Sequence, residues 1–221
     1  MVLSDQGRRE ANPDEPKNRR SVLQLSRLET LTDVIYAIVL WRTFTLLPMP
    51  AQEHWGVNEM QGFFQDELTA FVGVAIGLAF TIIYWIQNNA LMGDLERTDT
   101  RHTILSIVQL FFLLVFLRVI AIGVALEPSP ANRAMEGAAA AMVGISAAWA
   151  WSYAIKHGLL ASDVSDDDAL AKRDRITAEP LTALFTIPFS FFPILWELTW
   201  FSYPAMIRLM RRRRVRKAET A

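Results

Sequence analysis

The chain has 221 residues, 52% of them hydrophobic and 20% charged, with a mean hydropathy of +0.21, a formal net charge of −1 and no cysteine. The missing thiols exclude disulfides, thiolate metal sites and a cysteine nucleophile. The net charge is an average over basic and acidic segments that behave differently, so distribution carries the information, and no nucleic-acid partner is expected.

The first 26 residues are polar and contain Arg8, Arg9, Lys17, Arg19 and Arg20. They include no apolar core of a cleavable signal peptide and read as a disordered cytoplasmic tail. From residue 27 onward the chain offers stretches of the length, about 20 mostly apolar residues, that a bilayer core of roughly 30 Å requires. The first runs from about Leu28 to Pro48 and carries Glu29, Asp33 and Arg42. The second, Leu68 to Leu91, ends in Gln87, Asn88 and Asn89, and the third, Thr103 to Leu126, is apolar except for Gln109 and Arg118. The fourth, Ala134 to Ile155, is rich in small residues, which let helices approach closely in lipid.

From Ala178 to Met210 the chain is nearly uncharged and is interrupted by Pro188 and Pro193. One helix of that length would measure about 50 Å at 1.5 Å per residue, too long for a single crossing. The prolines predict a hairpin of two short helices turning between them. The fold class expected is therefore an all-α polytopic membrane protein with six spans over residues 27–210, followed by a basic cytoplasmic tail over residues 211–221.

Orientation follows from Lys and Arg. Of the 22, nineteen fall in the N-terminal segment through Arg27, the second-to-third loop, the fourth-to-fifth segment and the C-terminal run from Arg208 to Lys217. Arg133 alone lies on the other side, while Arg42 and Arg118 lie within spans. That asymmetry predicts cytoplasmic N- and C-termini in a plasma or inner membrane.

Ionisable groups inside spans are costly and mark functional candidates. Depth sorts them into two layers. The inner one holds Arg27, Asp33, Trp85, Asn88, Asn89, Arg101 and His102. The outer one holds Arg42, Arg118 and Glu197, and Arg118 is expected to pair with Glu197, with Arg42 sharing the carboxylate. At 100° per residue, Leu31, Ile35, Ile38, Arg42 and Thr45 form one stripe of the first helix, with Asp33 and Tyr36 opposite. That stripe is core or lipid-facing in an ordinary bundle and pore-lining in a channel.

The segment "RLETLTDVIYAIVL" resembles the first helix of the transmembrane protein 175 family of potassium channels. The family signature is Arg, three residues, then Phe-Ser-Asp, and Arg27, Leu31, Thr32 and Asp33 occupy its four positions. "YWIQNNAL" resembles the family's Tyr/Phe-Trp-x-x-His-His element, with Asn88 and Asn89 where histidines are usual. "DTRHTILSIVQLFFLLVFLRV" resembles the third helix, and "PLTALFTIPFSFFPILW" resembles the Pro-linked last hairpin. The resemblance spans roughly residues 27–210, one six-helix repeat as in prokaryotic members.

It implies a homotetramer in the lipid bilayer, with helix one of each subunit lining a central pore for potassium or other monovalent ions. It also implies a hydrophobic constriction at Ile38 and a structural network of Arg27, Thr32, Asp33, Trp85, Asn88, Asn89 and His102 behind the pore. Two departures weigh on selectivity. Trp41 stands where the family commonly has Thr, and a ring of four Arg42 guanidiniums would repel cations, leaving an anion-permeable or non-conducting relative as the alternative.

An enzyme is the other class. The sequence contains no His-Glu-x-x-His, Gly-x-Ser-x-Gly or phosphate loop. The cluster Asp163, Asp166, Asp167 and Asp168 would hold Mg²⁺ for a diphosphate substrate in a polytopic enzyme, but beside Lys172 and Arg173 it reads as a solvated linker. No catalytic residue, metal or cofactor is expected.

Overall fold

The computed structural model describes residues 15–50, 56–125 and 129–219, and most of them are helical. In order come α1 (Glu15–Phe44), α2 (Val57–Asp66), α3 (Leu68–Met92), α4 (Thr100–Ala125), α5 (Pro130–Lys156) and α6 (Asp166–Thr186). A 3₁₀ turn at Ile187–Phe189 leads to α7 (Pro193–Trp200) and α8 (Tyr203–Glu219). The described residues hold no strand, only an isolated bridge between Leu95 and Leu160 that ties the α3–α4 connection to the α5–α6 connection.

Local chemistry sets the helix ends. Ser129 accepts a hydrogen bond from the Asn132 amide and is followed by Pro130, which opens α5 without wasting a donor. Ser165 does the same for α6 by accepting from the Asp168 amide. Asp166, Asp167 and Asp168 occupy the first turn of α6, where the partial positive end of the helix favours carboxylates. Three of the four carboxylates of the suggested acidic linker thus start a helix, Asp163 lies in the turn before it, and all four are exposed. Among the described residues no group of three or more His, Cys, Asp or Glu is arranged to hold a metal ion.

Among the described residues three helices are long and apolar enough to cross a membrane, at Ala70–Met92, Thr100–Gly123 and Pro130–Lys156, so the protein is a multi-pass membrane protein. The sequence reading expected six spans. The other helices miss that measure because α1 and the first half of α6 carry charges and α7 is only 8 residues long. Other boundaries move as well. Residues 15–26, expected in a disordered tail, continue α1, because Leu25 and Leu28 are buried against Met92, Leu95, Ala154 and Leu159. The basic run from Arg211 continues α8. Helix α2 was not anticipated. It lies in the connection after α1, with Phe64 packed near Phe71 of α3 at 5.2 Å between ring centroids.

The chain turns at the two prolines, but not between two short helices: α6 already begins at Asp166 and the return is divided into α7 and α8. Helix α6 ends before Pro188, and the chain returns with the Tyr203 hydroxyl donating to the Arg175 carbonyl at 3.5 Å and Arg214 paired with Asp174 at 3.2 Å. Helix α5 is central and packs on α4 and α6. Its glycines permit the closest approach, since a Cβ on Gly144 would sit 2.6 Å from Pro180 Cδ, and one on Gly137 would sit 2.7 Å from Thr186 Oγ1. The core joins Tyr36, Tyr84, Leu113, Phe116, Val143 and Ala183, one or more from each of α1, α3, α4, α5 and α6.

Candidate pore-lining face and its supporting network

Helix α1 has two dissimilar faces. Leu25, Leu28, Thr32, Tyr36 and Val39 are buried and recur at helical spacing, which fixes the side turned to α3 and α4. On the other side Leu31, Val34, Ile38 and Trp41 are exposed at 44, 49, 61 and 67%. Thr45 continues this line at the helix end and is exposed too. The spacing of three, four, three and four residues makes a straight apolar seam, the pattern by which helices meet in parallel assemblies.

This seam is the expected stripe turned by about 40°, given 100° per residue. Ile35, assigned to the stripe, is half-buried and packs against the core. Val34, which sequence reasoning passed over, takes a place on the open face. The recurrence Leu31, Val34, Ile38, Trp41 was the available signal. Arg42 is exposed on the Ile35 side of the seam and reaches only its neighbour Thr45, Nη1 to Oγ1 at 3.5 Å. The Trp41 indole stacks on Phe44 with centroids 6.2 Å apart.

The inner layer divides. Asp33 lies off the seam but is exposed and not turned into the protein; it accepts a hydrogen bond from Trp85 Nε1 at 3.0 Å, tying α1 to α3. It does not meet His102. The buried His102 ring instead pairs with the Thr98 hydroxyl at 2.8 Å. Asp99 is the organiser that sequence reasoning missed. One carboxylate oxygen accepts from the His102 amide at 2.8 Å and the other from the Tyr153 hydroxyl at 2.7 Å, joining α4 to α5. Burial alone would raise the Asp99 carboxyl, but these hydrogen bonds outweigh it and hold it below its ordinary 3.8. Gln24 of α1 donates to Thr103 of α4 at 3.0 Å.

Thr32 and Asn88 are buried, and neither Thr32 Oγ1 nor Asn88 Nδ2 has a hydrogen-bond partner. Asn89 and Arg27 are exposed, and Arg27 falls on the seam side of α1, so it does not lock against Asp33.

The expected outer pair is not formed within the chain. Arg118 on α4 and Glu197 on α7 are both exposed, and the ion pairs among the described residues are Lys172–Asp94 and Arg214–Asp174. Similar depth in the sequence did not bring the two side chains to facing sides. The Arg42 guanidinium, expected to share that carboxylate, turns to Thr45 instead.

A bundle of apolar helices with a polar clamp at one end and an uncovered apolar seam on its first helix defines a multi-pass helical membrane protein. Comparison with known proteins agrees. Residues 27–116 match the family described as "Endosomal/lysosomal potassium channel TMEM175". The fold is similar to that of the potassium channel MtTMEM175, crystallised as a variant with a nanobody–MBP fusion protein. The two share a TM-score of 0.62 at 17% identity, over 86% of this chain and 93% of that one. No curated protein sequence matches the chain. The resemblance to the transmembrane protein 175 family is thereby borne out, and that family and the structural neighbour are potassium channels, not enzymes.

Proposed function

We propose that the protein is an ion channel for potassium or other monovalent cations, built from four copies whose α1 seams face a common axis. The observation that carries this reading is the seam itself. A helix whose buried face is already satisfied by α3 and α4 presents four bulky apolar residues to the outside, and only a further copy or lipid is left to cover them. The match over residues 27–116 includes this whole seam and supports the axis over lipid.

Ile38 is then the narrowest ring. Four branched side chains leave little room for a hydrated ion and offer no oxygen to replace its water, so the barrier is dehydration. Trp41, one turn further, adds bulk. Arg42 lies beside the seam and not at its centre, which reduces its repulsion of cations. The lysine and arginine asymmetry sets both termini in the cytoplasm of a plasma or inner membrane. The Asp99 clamp would then lie at the cytoplasmic end.

The chain's lack of cysteine makes the direct test clean. Single cysteines replacing Leu31, Val34, Ile38 and Trp41 should cross-link between subunits on oxidation, and one at Ile35 should not. Flux into liposomes with K⁺, Na⁺, Cl⁻ and H⁺ compared side by side should favour K⁺ or Na⁺. Cl⁻ flux would instead support the anion-permeable reading, and a monomer with no cross-links would remove the channel altogether.

A further inference from the structure

Away from α1, a cavity of about 100 Å³ opens between α3, α4, α5, α6 and α8, and no residue of α1 lines it. One carboxylate stands in its wall, Glu179 of α6. Its Oε1 accepts the Tyr84 hydroxyl at 2.5 Å. None of the ion pairs among the described residues includes it. Two cations share the lining, and neither is paired with Glu179. Lys172 is bonded to Asp94 and to the Ala90 carbonyl, and Arg175 makes no ion pair with Glu179.

A carboxylate enclosed by helices and left without a counter-charge is costly unless something neutralises it. The remaining lining supplies neutral oxygen ligands in the amides of Gln87, Asn88 and Gln109. Asn88 is 2% exposed and its amide nitrogen has no partner. A half-turn about its terminal bond would bring the amide oxygen into that place at no loss of hydrogen bonding from that nitrogen.

We propose that this cavity is a binding site for one small monovalent cation, with Glu179 as the charged ligand and Asn88, Gln87 and Gln109 as neutral ones. A single carboxylate balances a single charge, whereas divalent sites recruit several. The cavity has room for an ion with part of its water shell, which a proton would not need. The Tyr84 hydroxyl donating to Glu179 suits the anionic carboxylate. The site is distinct from the proposed pore axis, so the ion it holds braces the α3–α6 packing and is not in transit.

The test uses the purified full chain in detergent. Its melting temperature is measured against Li⁺, Na⁺ and K⁺, with N-methyl-D-glucamine holding ionic strength constant. One of the small cations should raise it by several degrees in a saturable way, and Glu179→Gln should abolish that rise. Asn88→Ala, a milder change, should shift the midpoint to higher cation concentration if Glu179→Gln does not fold. Soaking Tl⁺ into crystals should place an anomalous peak beside Glu179. A cation response that survives Glu179→Gln, or a stability that follows only pH and is blind to the choice of cation, would overturn the site. None of these readouts requires conduction, so a protein that conducts nothing can still pass, and a working channel can still fail.

Discussion

At Asp99 a single side chain closes the end of one helix and reaches a second. Asp99→Asn keeps an acceptor for the His102 amide but loses the charge, and should cost about 1 kcal/mol, within the range for helix caps. The pH dependence has a definite sign. The folded carboxyl titrates below its ordinary 3.8, so its contribution is complete above that value and is lost as the pH falls through the lower folded value. Melting temperatures of wild type and Asp99→Asn should therefore differ by a constant amount at neutral pH and converge on acidification below about pH 4. A gap that widens in acid would contradict the assignment. Arg118 and Glu197 provide the opposite case. With no contact inside the chain, the stability effects of Arg118→Leu and Glu197→Gln should add within about 0.5 kcal/mol. A strong coupling in that cycle would place the two side chains against each other across a subunit boundary.

Helix α5 shows what the small residues accomplish. Gly137 and Gly144 lie seven residues apart on the face toward α6, and each occupies a spot where a methyl group would collide with a neighbour. At Gly144 the obstacle is the ring of Pro180, which cannot move aside as a flexible chain end would. In lipid, where burial of apolar area gives little drive between helices, such close contact is the main source of cohesion. Gly144→Val should destabilise the protein by about 1–3 kcal/mol through overpacking, read as a drop in detergent melting temperature. Gly62, with open space around it, should accept Ala at little cost. Pro180 belongs to the same arrangement. Its lack of an N–H is tolerated inside α6 because the ring fills the groove that Gly144 leaves.

For the tetramer proposed above the decisive element is the α1 seam. Ile38→Asn replaces an apolar ring with one that can ligate water and ions, so K⁺ flux should rise without loss of assembly, because Ile38 is 61% exposed and contributes little to the subunit core. Ile35→Asn should behave differently. Ile35 packs against the core, so the same change there should lower stability and leave selectivity alone. Replacing Trp41 with Thr, with Arg42 neutralised, should increase K⁺ flux relative to Na⁺ by supplying oxygen near the axis. Liposome flux and a thermal melt on each variant separate these outcomes. Equal flux and equal stability for Ile35→Asn and Ile38→Asn would mean that α1 does not face an axis.

Much of this architecture was readable in one dimension. Apolar length identified α3, α4 and α5, because a bilayer imposes a minimum run that hydropathy reports directly. Pro188 and Pro193 marked the turn, since a ring without an N–H weakens a helix and two of them five residues apart in an uncharged run favour a break. The order of Arg27, Asp33 and Trp85 pointed to the family. Periodicity also separated Asp33 from Ile38, because residues that share a helix face recur at a known angle. It could not say how far that face is rotated against α3 and α4, and the 40° between the Ile35 stripe and the Val34 seam is that missing rotation. The same limit explains Arg118 and Glu197, which share a depth but not a facing direction. It explains Tyr84 and Glu179 as well, 95 residues apart and joined only once α3 and α6 have packed. Length, hydropathy and turns are properties of a segment. Rotation, pairing and cavities are properties of two or more segments in contact, and packing alone settles them.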